Sequence, residues 1–408
     1  MPPAPIQPPP DPPGQPDPCL VVTAMGITQI LAWGSSYYLP AVLAAPIAAE
    51  TGWPPGRIVG GLSIGLLAAG LVSPRVGSLI ERHGGRNVLA ASALLLAAGH
   101  LMLAAAWNLP AYLLAWAVMG LGMGAGLYDA SFAALGRLYG AAARRPIATL
   151  TLFGGFASTV CWPLSALLVT QLGWRGTCLA YAAVQMLLAL PLYRLVLPGQ
   201  APPVGHGAAG GPPGPAPLPP AAPRRRQLLL LFAAGVTVGT MIAGIISVHL
   251  LAMLQARGLP LAAAVALGAV VGPSQVAARA VEMAASRHHH PVWTMLASAV
   301  LAGCGLAVLW AGLPMLALGL VLYGAGVGIE SIARGTVPLA LFGAGGYAAL
   351  MGRLAMPAML AQALSLWSAA YLLQWLGPQG LLDVLLAAAA LKLALATTLV
   401  VLSAPLRR

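Results

Sequence analysis

Twelve runs of about twenty apolar residues follow one another along this chain, each parted from the next by a short break of charge, proline or glycine. A bilayer core ~30 Å thick is crossed by ~20 residues of α-helix, and a backbone in lipid must satisfy its own polar groups. The runs therefore predict membrane-spanning helices, at residues 20–47, 57–80, 87–106, 110–137, 146–170, 176–197, 227–254, 260–285, 292–311, 314–340, 348–373 and 380–403. Two stretches stand outside the pattern. The start is proline-rich, and a long connection of Pro, Gly and Ala closes on Arg224, Arg225 and Arg226; neither can bury a core. The expected organisation is a disordered tail (1–19), a six-helix half (20–198), a flexible linker (199–226), a second six-helix half (227–403) and a short basic tail (404–408).

Composition sharpens this picture. Hydrophobic residues make up 59% of the 408 positions and charged residues 7%, with a mean hydropathy of +0.86. Soluble domains carry about 25% charged residues, so this chain cannot build a water-facing surface. The net charge of +12 would suggest nucleic acid in a soluble protein, but here the placement of 20 basic residues, 19 of them Arg, sets topology. With the N-terminus cytoplasmic, one side carries Arg82, Arg86, Arg137, Arg144, Arg145, Arg194, Arg224 to Arg226, Arg287, Arg407 and Arg408. The other side has only Arg57, Arg175 and Arg257. The positive-inside rule then predicts both termini in the cytoplasm of a bacterial-type inner membrane, with anionic lipid as a by-product contact and no nucleic-acid partner. The first residues lack the basic region of a signal peptide. Cys19, Cys161, Cys178 and Cys304 are single and widely spaced, which reads as packing rather than metal or redox chemistry.

The linker divides the spans six and six. A shift of 204 positions lays Pro110 on Pro314, and Gly120, Gly122 and Gly124 on Gly324, Gly326 and Gly328. It also lays Arg75 on Arg279. Two pseudo-symmetric six-helix halves around a central cavity form the parallel-repeat plan of secondary transporters, and the glycines allow close helix approach.

After the second span, Gly77-Ser78-Leu79-Ile80-Glu81-Arg82-His83-Gly84-Gly85-Arg86 resembles the GxxxDRxGRR loop of the major facilitator superfamily, with Glu for Asp and Gly85 for one Arg. The resemblance covers about residues 20–403. It implies that family's twelve-helix, all-α membrane fold, with Gly77, Glu81, Arg82, Gly84 and Arg86 as a cytoplasmic gate between the halves. Glu81 would then sit at the N-terminal end of the eleventh span, near Arg353. Gly154 to Arg175 partly resembles the fifth-span antiporter motif of drug exporters, through Pro163 and Gly173-Trp174-Arg175. Trp162 replaces the glycine before that proline, and Trp116 replaces the fourth-span Arg of many proton-coupled relatives.

Few ionisable groups lie inside the spans, and each costs at least ~2.5–3.5 kcal/mol at mid-bilayer unless paired or hydrated. Gln275, Arg279 and Glu282 share one face of the eighth span, which is expected to look into the cavity. Gln275-Val-Ala-Ala-Arg279 resembles the Asp-x-x-x-Arg of monocarboxylate carriers of the oxalate-formate type, as does Tyr38-Leu39-Pro40 leading to Gly52-Trp53. That resemblance implies a carboxylate held by Arg279, whereas Gln275 cannot carry a proton. Glu330 and Arg334 form an i, i+4 pair on the tenth span, and Asp129 stands near the counterpart position of Arg334 on the fourth. Asp129 and Glu330 are the proton-coupling candidates, as gate or as carrier, followed by Glu282 and His249. Gln29, Trp33 and Tyr37, with Tyr38, make a polar-aromatic face on the first span, so Tyr37 and Tyr38 join the candidate substrate site. His288, His289 and His290 have no second ligand cluster, and no metal is expected there.

No GxxxxGK[ST] or HExxH occurs, so neither a nucleotide-driven pump nor an enzyme is expected, and no cofactor. The expectation is a monomeric secondary transporter of a small organic solute, a carboxylate anion, coupled to protons and working by alternating access. The alternative is an exporter of drugs or other apolar compounds.

Overall fold

The computed structural model describes residues 17–199, 222–286, 288–312 and 315–406. The proline-rich tail to residue 16, most of the linker, Arg287, Pro314, Arg407 and Arg408 lie outside the described residues. Every regular element among those described is helical.

Among the described residues, ten helical stretches are long and apolar enough to cross a membrane. One of them, Leu109–Val196, is divided at Gly140 and at Gly173 into the fourth, fifth and sixth spans, which brings the crossings to twelve. The others are Pro18–Thr51, Pro55–His83, Gly85–Ala105, Pro223–Ala256, Leu261–Ala285, Pro291–Trp310, Leu316–Phe342, Tyr347–Ala369 and Tyr371–Ser403. Their starts use proline where no intrahelical N–H is needed, as at Pro18, Pro40, Pro55, Pro110 and Pro291. Trp107 and Trp375 stand exposed close to helix ends, as amphipathic rings do at a membrane interface.

The internal repeat reappears in the backbone. Gly173 breaks the fifth from the sixth span with φ 70° and ψ 175°, and Gly377 breaks the eleventh from the twelfth with φ 69° and ψ −179°. The two positions are 204 apart, the shift read from the sequence, and this conformation belongs almost to glycine alone. The glycine stripes pack equivalently as well. Gly124 faces Ala69 O of the second span and Gly328 faces Gln275 O of the eighth. This contact pairs Ala69 with Gln275, so the counterpart of Arg279 is Ser73 and not Arg75, which is exposed. A constant shift fails here because 55 residues separate Ala69 from Gly124 and 53 separate Gln275 from Gly328.

Two expected boundaries also change. The first span is interrupted between Ser35 and Pro40. The seventh helix begins at Ala222, so Arg224 to Arg226, read as the end of the linker, form its first turns. Arg224 Nη2 donates to Leu402 O at 2.7 Å, which ties that start to the end of the twelfth span.

Three clusters of buried apolar side chains show how the halves meet. One, at the end that bears the Glu81 loop, draws on both halves, with Ile80, Phe132 and Ile147 beside Phe232, Val337 and Tyr347. Toward the opposite end, one cluster belongs chiefly to the first half, around Leu62 and Trp116, and one to the second, around Leu306 and Tyr323. Hydrogen bonds agree. Those joining the halves reach from Glu81 as far as Tyr37, and among the described residues none lies beyond. The cleft between the halves is thus closed at the loop end, and among the described residues no hydrogen bond bridges it beyond Tyr37.

Candidate functional site

The floor of this cleft is built by broken helices. Where the first span stops at Ser35, the carbonyl left over accepts from His100 Nε2 at 2.8 Å, and Tyr38 O accepts from Trp162 Nε1 at 3.3 Å. In the fourth span Leu109–Gly126 gives way to Tyr128–Tyr139 at Leu127, and Gln29 Nε2 donates to the freed Gly126 O at 2.6 Å. These breaks put Tyr37, Tyr38 and Tyr128 side by side. Ring centroids lie 5.4 Å apart for Trp33–Tyr37 and Tyr37–Tyr38, 5.0 Å for Trp33–Tyr128 and 5.9 Å for Tyr38–Trp162. The second half closes on this wall through Tyr37, whose hydroxyl is 3.3 Å from Ser247 Oγ and accepts from Gln362 Nε2 at 3.0 Å.

Arg279 meets this cluster from the eighth span. Its Nε donates to Gly328 O at 3.1 Å, Nη1 to Thr151 O at 2.9 Å and Nη2 to Gln275 Oε1 at 3.2 Å. Tyr128 donates to the same Thr151 O at 3.2 Å, and Tyr38 and Tyr128 both lie within electrostatic reach of the guanidinium. A guanidinium has five N–H donors, so two are left for a ligand. Arg279 is 4% exposed, and no carboxylate forms an ion pair with it among the described residues. It is a buried cation without a counter-charge, and removing such a charge from water costs several kcal/mol.

Glu282 does not share that environment, although it is only three residues on. It accepts from Thr294 Oγ1 at 2.6 Å and lies 3.0 Å from His289 Nε2, so it faces the ninth span rather than the cavity. Although they share a helix face, Arg279 and Glu282 form no ion pair with each other among the described residues. The helical wheel grouped the two, but Thr294 at the start of the ninth span and His289 just before it hold Glu282 away from Arg279.

The tenth span pairs differently from its spacing. Arg334 does not bind Glu330. It binds Asp129 of the other half through two parallel bonds, Nε to Oδ1 at 2.8 Å and Nη2 to Oδ2 at 2.7 Å. Glu330 binds Lys392 of the twelfth span, Oε2 to Nζ at 2.8 Å, and Lys392 also donates to Ser298 Oγ at 3.2 Å. Lys392 is the one lysine of the chain and is 2% exposed. Sequence reasoning passed over it, and over Tyr128 and Gln362. A lone lysine amid nineteen arginines, in the middle of an apolar run, was the available signal. His249, on the seventh span, is ten residues or ~15 Å along that helix from Gly239, against which Glu330 packs, and its Nε2 has no hydrogen-bond partner among the described residues.

At the loop end, Ala348 N donates to Glu81 Oε2 at 3.0 Å, in the first turn of the eleventh span. Arg353 does not join it and turns back to Ala349 O. A Cβ on Gly77 would stand 2.5 Å from Ala348 O and 2.9 Å from Gly352 Cα, so the helices touch there by backbone alone. Gly84, with φ 82°, turns the chain into the third span; Arg82 is exposed, and Arg86 holds a buried Nε without a partner among the described residues.

The chain belongs to the Major Facilitator Superfamily, whose family model matches residues 25–287. Its fold is similar to that of the human organic anion transporter MFSD10 (TETRAN), with TM-score 0.71 and 19% identity over 94% of this chain and 100% of that one. It is also similar to FucP in the outward conformation, with TM-score 0.68 and 13% identity over 94% and 98% of the two chains. The proton:xylose symporter XylE bound to 6-bromo-6-deoxy-D-glucose gives TM-score 0.66 and 12% identity over 93% and 94%. No curated protein sequence matches the chain. The protein is thus a multi-pass membrane transporter of this superfamily.

Proposed function

We propose that this transporter carries a small organic anion, a carboxylate, which binds Arg279 beneath Trp33, Tyr37, Tyr38, Tyr128 and Trp162. The observation that carries this reading is the buried guanidinium with no carboxylate partner, placed at the floor of an aromatic cleft. A carboxylate would take the two spare N–H groups and supply the missing charge, while the rings cover its apolar body. One structural relative is named as an organic anion transporter. At 19% identity that likeness shows the fold, and the substrate reading rests on Arg279.

Transport proceeds by alternating access, with the loop end cytoplasmic, both termini on that side of a bacterial-type inner membrane, and the monomer as the working unit. Protons drive it through the buried acids of the fourth and tenth spans.

Acetate, succinate and benzoate, each compared with its amide, test the anion in thermal-shift binding and proteoliposome uptake. Arg279→Gln should weaken binding of the acid by ~10–100-fold, the worth of a charged hydrogen-bond pair, and leave the amides within about threefold. Arg279→Lys keeps the charge without the planar fork and should fall between. Binding of the acids by Arg279→Gln at wild-type strength would overturn the reading in favour of an apolar-compound exporter.

A further inference from the structure

The Asp129–Arg334 pair spans the two halves at the closed end, so it must break whenever that end opens. Arg334 would then be left in a largely apolar setting with no partner, a costly state for a buried charge. One acceptor is within its reach on its own helix. Glu330 is one turn earlier, and acid-before-base at i, i+4 is the favoured order. Lys392 occupies only Oε2; Glu330 Oε1 is buried and has no hydrogen-bond partner among the described residues. The carboxylate lies directly against the backbone of Gly239, where a side chain would displace it.

We propose that Arg334 exchanges Asp129 for Glu330 as the loop end opens, and that the abandoned Asp129 binds one proton. The inference rests on proton-driven alternating access and names the group that loads. With the end closed, two acids face two bases, Asp129 with Arg334 and Glu330 with Lys392, and the set is neutral. With the end open, Arg334 and Lys392 share Glu330, and Asp129, 5% exposed in the closed state, stands without a counter-charge. A carboxylate so placed takes up a proton from water rather than remain ionised. The proton enters through the opened end, and the set then carries one added positive charge. On closing, Arg334 returns and displaces the proton from Asp129 to water on the other side of the closed end. Gate and carrier are one residue in two states.

The other charged and titratable groups packed near Asp129 are already engaged. Tyr347 of the eleventh span, in electrostatic reach of Asp129, donates to Gly335 O at 2.7 Å. Glu81 of the second span is held by Ala348 N, and Arg144 of the fifth donates to His289 O at 2.9 Å. Around Glu330 stand Lys392, Tyr323 and, through Lys392, Ser298.

The test needs no substrate, so it stands or falls apart from the anion reading. Spin labels at Ala142→Cys and His288→Cys, exposed positions on opposite halves at the closed end, measure its opening in purified protein with Cys19→Ser and Cys304→Ser. Because the open state holds one more proton, acid should raise the long-distance population, by at most about tenfold per pH unit. Asp129→Asn should abolish that response. Glu330→Gln combined with Lys392→Gln, which removes the pair without stranding either charge, should lower the long-distance population about tenfold at every pH. A pH response absent from the parent or persisting in Asp129→Asn overturns the proposal, as does a folded double variant that opens like the parent. If the double variant does not fold, the parent and Asp129→Asn titrations decide alone.

Discussion

A single methyl group at Gly77 should shift the conformational balance of the whole protein. In Gly77→Ala the new Cβ would meet Ala348 O at 2.5 Å, Gly352 Cα at 2.9 Å and Gly352 N at 3.0 Å. All three are backbone atoms of the opposite half, so no rotamer change relieves them. Ordinary carbon contacts lie at ~3.5–4.0 Å, and the second and eleventh spans would have to part by about 1 Å. That movement also stretches the bond from Ala348 N to Glu81, now 3.0 Å. Overpacking of this kind costs ~1–3 kcal/mol. The helix-propensity gain of alanine over glycine, ~1 kcal/mol, applies equally to both states because the second span is helical in each, and it cancels. The closed loop end is therefore disfavoured by ~5–150-fold relative to the open one. Double electron–electron resonance between labels at Ala142→Cys and His288→Cys reads this ratio. Gly60→Ala, in the same helix where a Cβ meets nothing within 4 Å, is the control and should leave the distances unchanged. A Gly77→Ala distribution within twofold of that control would refute the reasoning, since it would mean that the backbone contact does not set the closed state.

Three further outcomes follow from other contacts. Lys392→Met should destabilise the folded protein by ~3–5 kcal/mol because Glu330 is stranded, while Lys392→Met with Glu330→Gln should recover most of it; equal melting of the single and double variants in detergent would contradict this. Gly377→Ala and Gly173→Ala place a side chain at φ near 70° with extended ψ, and each should cost ~1–3 kcal/mol by the same measurement. Glu81→Gln keeps the shape of its contact to Ala348 N but halves a charge-assisted bond, so exchange between the two conformations should change in rate while substrate affinity stays within about twofold; a large affinity loss with unchanged transport would count against the gate.

The spans were legible because lipid imposes one rule along the chain. A backbone in hydrocarbon must bond to itself, so ~20 apolar residues bounded by Pro, Gly or Arg leave only a helix. The duplication was legible for the same reason, through Gly120, Gly122 and Gly124 repeating at Gly324, Gly326 and Gly328 and marking where backbones touch. The loop from Gly77 to Arg86 identified the superfamily because its residues and its place between spans were both present in the sequence. The partners of the buried charges were decided elsewhere. Spacing along one helix offered Glu330 to Arg334 and Glu282 to Arg279, but Asp129, Lys392 and Thr294 took those groups from other helices. Helices that are apolar all round carry no stripe to show which face meets which neighbour, and in lipid no hydrophobic force sorts them. Packing of small residues and a few polar contacts set that choice. Only the tertiary structure therefore shows that Lys392 is buried against an acid, that Tyr128 and Arg279 donate to the same Thr151 carbonyl, and that Arg279 has no carboxylate partner among the described residues.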